Sequence, residues 1–228
     1  MDERRASRVG GVCGLVFAAL SLVVVPLVAA PATPPAALGA SGETFAAWYV
    51  AHRAGFLVGN YLGIAAFIPG FVQLAVLAAR IRAREARTDG ALPWLSGLLL
   101  ASGTFTYAVF GCSLVAFQAM PFLLDPAAPQ ASLAMGTLTS VWFALDGLAA
   151  LPMLLAVAWA VAATGFLPRW VAWLSGAVAA LALLMSVGAL FDAPPWLAAG
   201  GPATFLGFVA FFAWTGALAV AMMRPPPA

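Results

Sequence analysis

Six runs of about twenty apolar residues, separated by short polar or proline-rich breaks, dominate this 228-residue chain. A helix of that length rises about 30 Å, the thickness of a bilayer's hydrocarbon core. The runs extend from about Val9 to Ala30, Ala54 to Ala79, Pro93 to Phe117, Thr137 to Ala163, Trp170 to Phe191 and Thr204 to Met223. In lipid, only a helix or a closed barrel satisfies every backbone N–H and C=O. The expected fold is therefore an all-α integral membrane protein, a bundle of six transmembrane helices forming one domain over residues 1–228. Prolines mark the breaks: Pro31 to Pro35, Pro121 with Pro126, and Pro194-Pro195 with Gly200-Gly201-Pro202. Proline lacks an N–H and crowds the preceding turn. Pro26, Pro69 and Pro152 fall inside runs, where kinks are expected.

Composition excludes the main alternatives. Hydrophobic residues make up 64% and charged residues 8%, where a soluble domain carries roughly 25% charged residues. That rules out a soluble enzyme, a disordered chain and a coiled coil. Two cysteines and one histidine exclude a disulfide scaffold, a cysteine zinc site and a bis-histidine haem. No cofactor and no metal site is expected. The net charge of +2 is not arranged as a basic stripe, so nucleic acid is not a partner. The partner that composition does imply is the lipid bilayer.

All ten basic residues are arginines. Arg4, Arg5 and Arg8 precede the first run, Arg80, Arg82, Arg84 and Arg87 follow the second, Arg169 separates the fourth and fifth, and Arg224 follows the sixth. With six spans and both termini in the cytoplasm, these nine face inward and only Arg53 faces out, as the positive-inside rule requires. Trp94, Trp170 and Trp173 then mark the inner interface, Trp48 and Trp196 the outer one. Ala29-Ala30 resembles a signal-peptide cleavage site, but the preceding run of about 22 residues exceeds a signal h-region. A retained first span is expected, in a bacterial cytoplasmic membrane.

Gly55, Gly59 and Gly63 lie on one stripe of the second span, and Gly10 and Gly14 repeat the spacing in the first. Small residues four apart let two helices approach closely. The stripes serve packing within the bundle, or a membrane partner or homodimer.

Polar residues concentrate towards the outer half. Asn60 stands 20 residues above Arg80, and Asp146 stands 19 above Gly165, each roughly 30 Å from the inner boundary. Cys112 stands 19 residues above Pro93, and Tyr107 lies about one turn lower. Tyr49, Arg53 and Asn60 fall within about 40° of one another, and Thr139, Trp142 and Asp146 share a stripe. An ionisable residue within a span normally faces the bundle interior and finds a partner. The spacing predicts an outward-opening polar pocket for a small apolar or amphipathic ligand. Asp146 and Asn60 form its floor, Tyr107 lies below, His52 and Arg53 form its mouth, and Tyr49 and Trp142 sit on the same faces. The competing reading is a structural network in which Asp146 pairs with Arg53, with Asp192 and Glu43 at the interfaces.

Gly165-Phe-Leu-Pro-Arg-Trp170, before the fifth span, resembles the Leu-Pro-Arg-Trp turn in a broad group of bacterial six-span membrane proteins of the domain-of-unknown-function type. The resemblance implies the topology and carries no activity or site residues. The expected role is a non-catalytic ligand-binding or partner subunit. The alternatives are a small-solute or proton-coupled transporter and, third, a membrane-embedded enzyme acting on a lipid-like substrate.

Overall fold

The computed structural model of the protein describes residues 3–24, 41–86, 94–125, 127–187, 189, 194, 196–199 and 201–224. Pro26, Ala29 to Pro35, Arg87, Pro93, Pro126, Asp192, Pro195 and Gly200 lie outside the described residues. Every regular element among the described residues is helical. The helices are α1 (Glu3–Ala19, running into a π-helical turn at Leu20–Val24), α2 (Gly42–Ala51), α3 (Arg53–Glu85), α4 (Leu95–Leu123), α5 (Pro129–Thr164), α6 (Arg169–Val187) and α7 (Pro202–Met223). Six of them, all except α2, are long and apolar enough to cross a membrane.

The helix ends follow local chemistry. Ser41 caps α2 by accepting the Thr44 N–H at 3.2 Å, which satisfies an otherwise unpaired first-turn donor. Gly165, at φ 59°, ends α5 in the left-handed conformation that glycine adopts without a Cβ clash. Pro202 opens α7 where its missing N–H has no helical partner to lose. Pro121 corrects an expectation. It lies inside α4, which continues to Leu123 before Leu124 closes the last turn on the Met120 carbonyl at 3.0 Å. Proline crowds only the turn before it, so the residues after it still donate normally. Pro69 and Pro152 likewise sit within α3 and α5.

Six helices close a ring. α1 packs between α7 and α3, and the circuit continues through α4, α5 and α6 back to α7, while α2 leans chiefly on α5. Phe17 of α1 fills the middle of the ring, with its ring centroid 5.4 Å from Phe67, 5.4 Å from Tyr107 and 5.2 Å from Phe212. The glycine stripe of α1 serves this packing. A Cβ on Gly10 would meet Val76 of α3 and Met222 of α7, each closer than 3 Å, and one on Gly14 would meet Gln73. Gly59 and Gly63 are buried and Gly55 half-buried. Gly10 and Gly14 thus make within the chain the close approach that their spacing calls for.

Polar side chains fasten neighbouring helices at several heights. Thr106 of α4 donates to the Ala149 carbonyl of α5 at 2.8 Å, Ser186 of α6 to the Ala144 carbonyl at 2.9 Å, and Trp214 of α7 to Ser175 at 2.9 Å. At one end, Glu85 accepts from the Ser96 N–H at 2.9 Å and from its hydroxyl at 2.6 Å, holding the first turn of α4. Arg80 reaches the Met222 and Phe166 carbonyls there, both at 3.5 Å. The start of α1, the end of α3, the α5–α6 turn and the end of α7 thus share an arginine-rich end, with α2 at the other. The ring's exterior is apolar, down to a Trp173 that is 80% exposed. That surface suits lipid contact, because a bilayer interior solvates apolar groups.

Candidate functional site

Asp146 sits midway along α5 and is 1% exposed. Its height follows from α6, whose last turn is level with it through the Ser186–Ala144 bond. The carboxylate is therefore about one turn below the α2-side end of the shortest span. Ser113 of α4 donates to Asp146 Oδ1 at 2.7 Å, its hydroxyl also lying 3.2 Å from the Val109 carbonyl. No other hydrogen bond to this carboxylate forms among the described residues.

Asp146 borders a cavity of about 20 Å³, enough for the centre of one water molecule. Ser21 and Ser113 contribute the other polar side chains. Ser21 comes from the π-helical turn of α1, and π turns recur at functional sites. Its hydroxyl, 5% exposed as a residue, makes no hydrogen bond among the described residues. The remaining wall is largely aromatic: Phe67, Phe110, Phe143, Phe208 and Phe212. Three helices thus bring a carboxylate and two hydroxyls to one water-sized space inside an aromatic shell.

The predicted pocket members divide around this centre. Asn60 is buried, and its Nδ2 has no hydrogen-bond partner. It stands one turn beyond Gly63, which lines the cavity, but is not itself in the lining. Tyr107 is 5% exposed and borders a separate, smaller cavity of about 10 Å³ with Gln73, Met153 and Trp214. Phe17 and Phe67 lie against Tyr107 on its other side.

The mouth is arranged differently from expectation. Arg53 is exposed and lies over the Phe122 ring at 4.6 Å, so it does not pair with Asp146. The continuation of α4 past Pro121 supplies that ring. His52 caps the break between α2 and α3, with Nδ1 2.8 Å from the Trp48 carbonyl and its ring stacked on Trp48 at 4.5 Å. Tyr49 is buried among Phe45, Trp48 and Phe56. Burial pushes its phenol up from the ordinary tyrosine value, because the anion loses hydration. Trp142 is 43% exposed and lines a shallow apolar groove on the outside of the ring with Phe105, Val109, Leu138 and Leu145. It belongs to the lipid-facing surface, not to the interior. The described residues therefore enclose Asp146 instead of opening a wide pocket above it.

Sequence reasoning missed Ser113, Ser21 and the phenylalanine shell. Ser113 stands 20 residues beyond Pro93, at the height of Asp146, so depth alone could have found it. Among the described residues, no group of three or more His, Cys, Asp or Glu side chains is placed to hold a metal ion. Cys13 and Cys112 are free thiols, the latter exposed. Comparison with protein-family models, curated proteins and solved structures finds no match to this chain.

Proposed function

We propose that this chain is a six-span protein of the bacterial cytoplasmic membrane, with both termini inside, and that it is a non-catalytic subunit binding a water-sized ligand at Asp146. The orientation rests on the positive-inside rule applied to the arginine-rich end. The resemblance of the Leu167 to Trp170 turn to bacterial six-span proteins supports the topology. One observation carries the binding role: Asp146 is buried, bonded through one oxygen only, and borders a cavity with an unbonded serine hydroxyl. A buried carboxylate without a cationic partner is costly. A ligand in that cavity would offset the cost. The size of the cavity confines the ligand to a proton, a water or a small cation, narrower than the apolar or amphipathic molecule that spacing alone predicted.

The test is the thermal stability of the purified full chain across pH and across monovalent chlorides at constant ionic strength. A ligand that binds only the folded state raises Tm with its concentration. The wild type is expected to respond to at least one of these variables, and Asp146→Asn, which keeps the shape and the Ser113 contact, to lose that response. Equal responses in both proteins would refute the reading.

A second reading, proton- or ion-coupled transport, is favoured by the second cavity. Gln73 lies six residues, about 9 Å, from Phe67 along α3. Two small polar-bordered spaces are thus separated by the Phe17 layer. Asp146-dependent flux into proteoliposomes would establish this reading, and tight vesicles with intact ligand binding would dismiss it.

A further inference from the structure

Resting on the binding role just proposed, we infer that the ligand at Asp146 is ammonium. The cavity of about 20 Å³ holds one heavy atom, which removes methylated and larger amines. Asp146 accepts one hydrogen bond, from Ser113 at Oδ1, and the Ser21 hydroxyl makes none among the described residues. An occupant that donates to Asp146 satisfies the carboxylate, and a positive charge balances it better than a neutral water. Among the described residues no such charge is supplied. Arg53 is turned to Phe122, and the other described arginines belong to the arginine-rich end.

The aromatic shell selects among cations. Phe67, Phe110, Phe143, Phe208 and Phe212 border the same space. Aromatic faces attract a desolvated cation and accept weak hydrogen bonds from N–H groups. Ammonium has four N–H bonds, which a carboxylate, serine hydroxyls and aromatic rings can accept. Hard metal cations instead take six or more oxygens, and only three side chains bring oxygen here. The π-helical turn at Leu20–Val24 contributes one of them, through Ser21.

The experiment titrates the purified full chain with ammonium, sodium, potassium, methylammonium and choline chlorides at equal ionic strength, reading Tm. Ammonium is expected to raise Tm progressively, with a midpoint about tenfold or more below that of sodium. Asp146→Asn abolishes the rise. Should that variant fold poorly, Ser21→Ala and Phe143→Leu keep the carboxylate and are expected to move the ammonium midpoint upward about tenfold. Sodium or potassium acting as well as ammonium would overturn the ammonium assignment and leave the binding role standing. An Asp146-dependent response to pH alone would do the same, assigning the site to a proton. No response to any cation or to pH would overturn both.

Discussion

Gly147→Ala adds one methyl group where α5 crosses α6, and its effect can be worked from the geometry. The new Cβ would fall on the Ala182 carbonyl oxygen, 2.5 Å from Ser186 Oγ and 2.7 Å from Met185 Cγ. Carbon–oxygen contacts settle near 3.3–3.6 Å, so the helices must part by about 1 Å at this level. The Ser186 hydroxyl now bonds Ala144 at 2.9 Å. A displacement of that size takes the bond past the limit of about 3.2 Å for a useful hydrogen bond. Overpacking costs about 1–3 kcal/mol, and a lost bond between membrane helices about 0.6 kcal/mol. The sum, about 2–4 kcal/mol, falls to about 1–3 kcal/mol after the roughly 0.5–1 kcal/mol that alanine gains over glycine in a helix, and corresponds to roughly 2–12 °C in Tm for a chain of this size. Gly176→Ala is the control, since its Cβ meets nothing within 4 Å. Alanine there gains about 0.5–1 kcal/mol from backbone propensity. Thermal unfolding of both variants in one detergent or lipid nanodisc provides the assay. A Gly147→Ala protein as stable as Gly176→Ala would refute the assigned α5–α6 crossing.

Two further outcomes follow from the ends of the bundle. Glu85→Ala removes both acceptors of the Ser96 bonds and should lower stability by about 1–3 kcal/mol in urea titration, with Glu85→Gln intermediate; an unchanged midpoint for Glu85→Ala would remove this link. At Tyr49, burial raises the phenol, so the stability carried by its neutral form is full below the ordinary tyrosine value near 10 and is lost as pH rises through the folded value. Tyr49→Phe should match the wild type near neutrality and surpass it at alkaline pH, while folded protein at pH about 11 shows the same tyrosinate absorbance with or without Tyr49. A smaller absorbance in Tyr49→Phe would show that the phenol titrates freely.

The six spans were legible in the sequence because an apolar run of membrane length is a local property, and the helices begin and end within several residues of the breaks. What spacing left open was rotational phase. Trp142 lies about 40° from Asp146 by helical angle, a difference that leaves Asp146 inside and Trp142 outside. Asn60 and Asp146 reach similar heights, yet Asp146 bonds Ser113, because the choice depends on which helices are neighbours in the ring. Arg53 meets Phe122 only because α4 runs past Pro121, which reads locally as a stop. Helix α2 fell between the assigned spans, although Ser41 and Thr44 carried a capping signal. Ser21 escaped notice because nothing in a run of apolar residues marks a π-helical turn.

The central claim is that the Asp146 carboxylate touches a bound ammonium ion within the ring. Infrared difference spectroscopy of the protein in lipid, ammonium minus choline, with aspartate labelled by carbon-13, reads that carboxylate directly. The account predicts an isotope-shifted carboxyl band in the wild type that is absent in Asp146→Asn. Difference spectra without any such band, or the same band in both proteins, would contradict it.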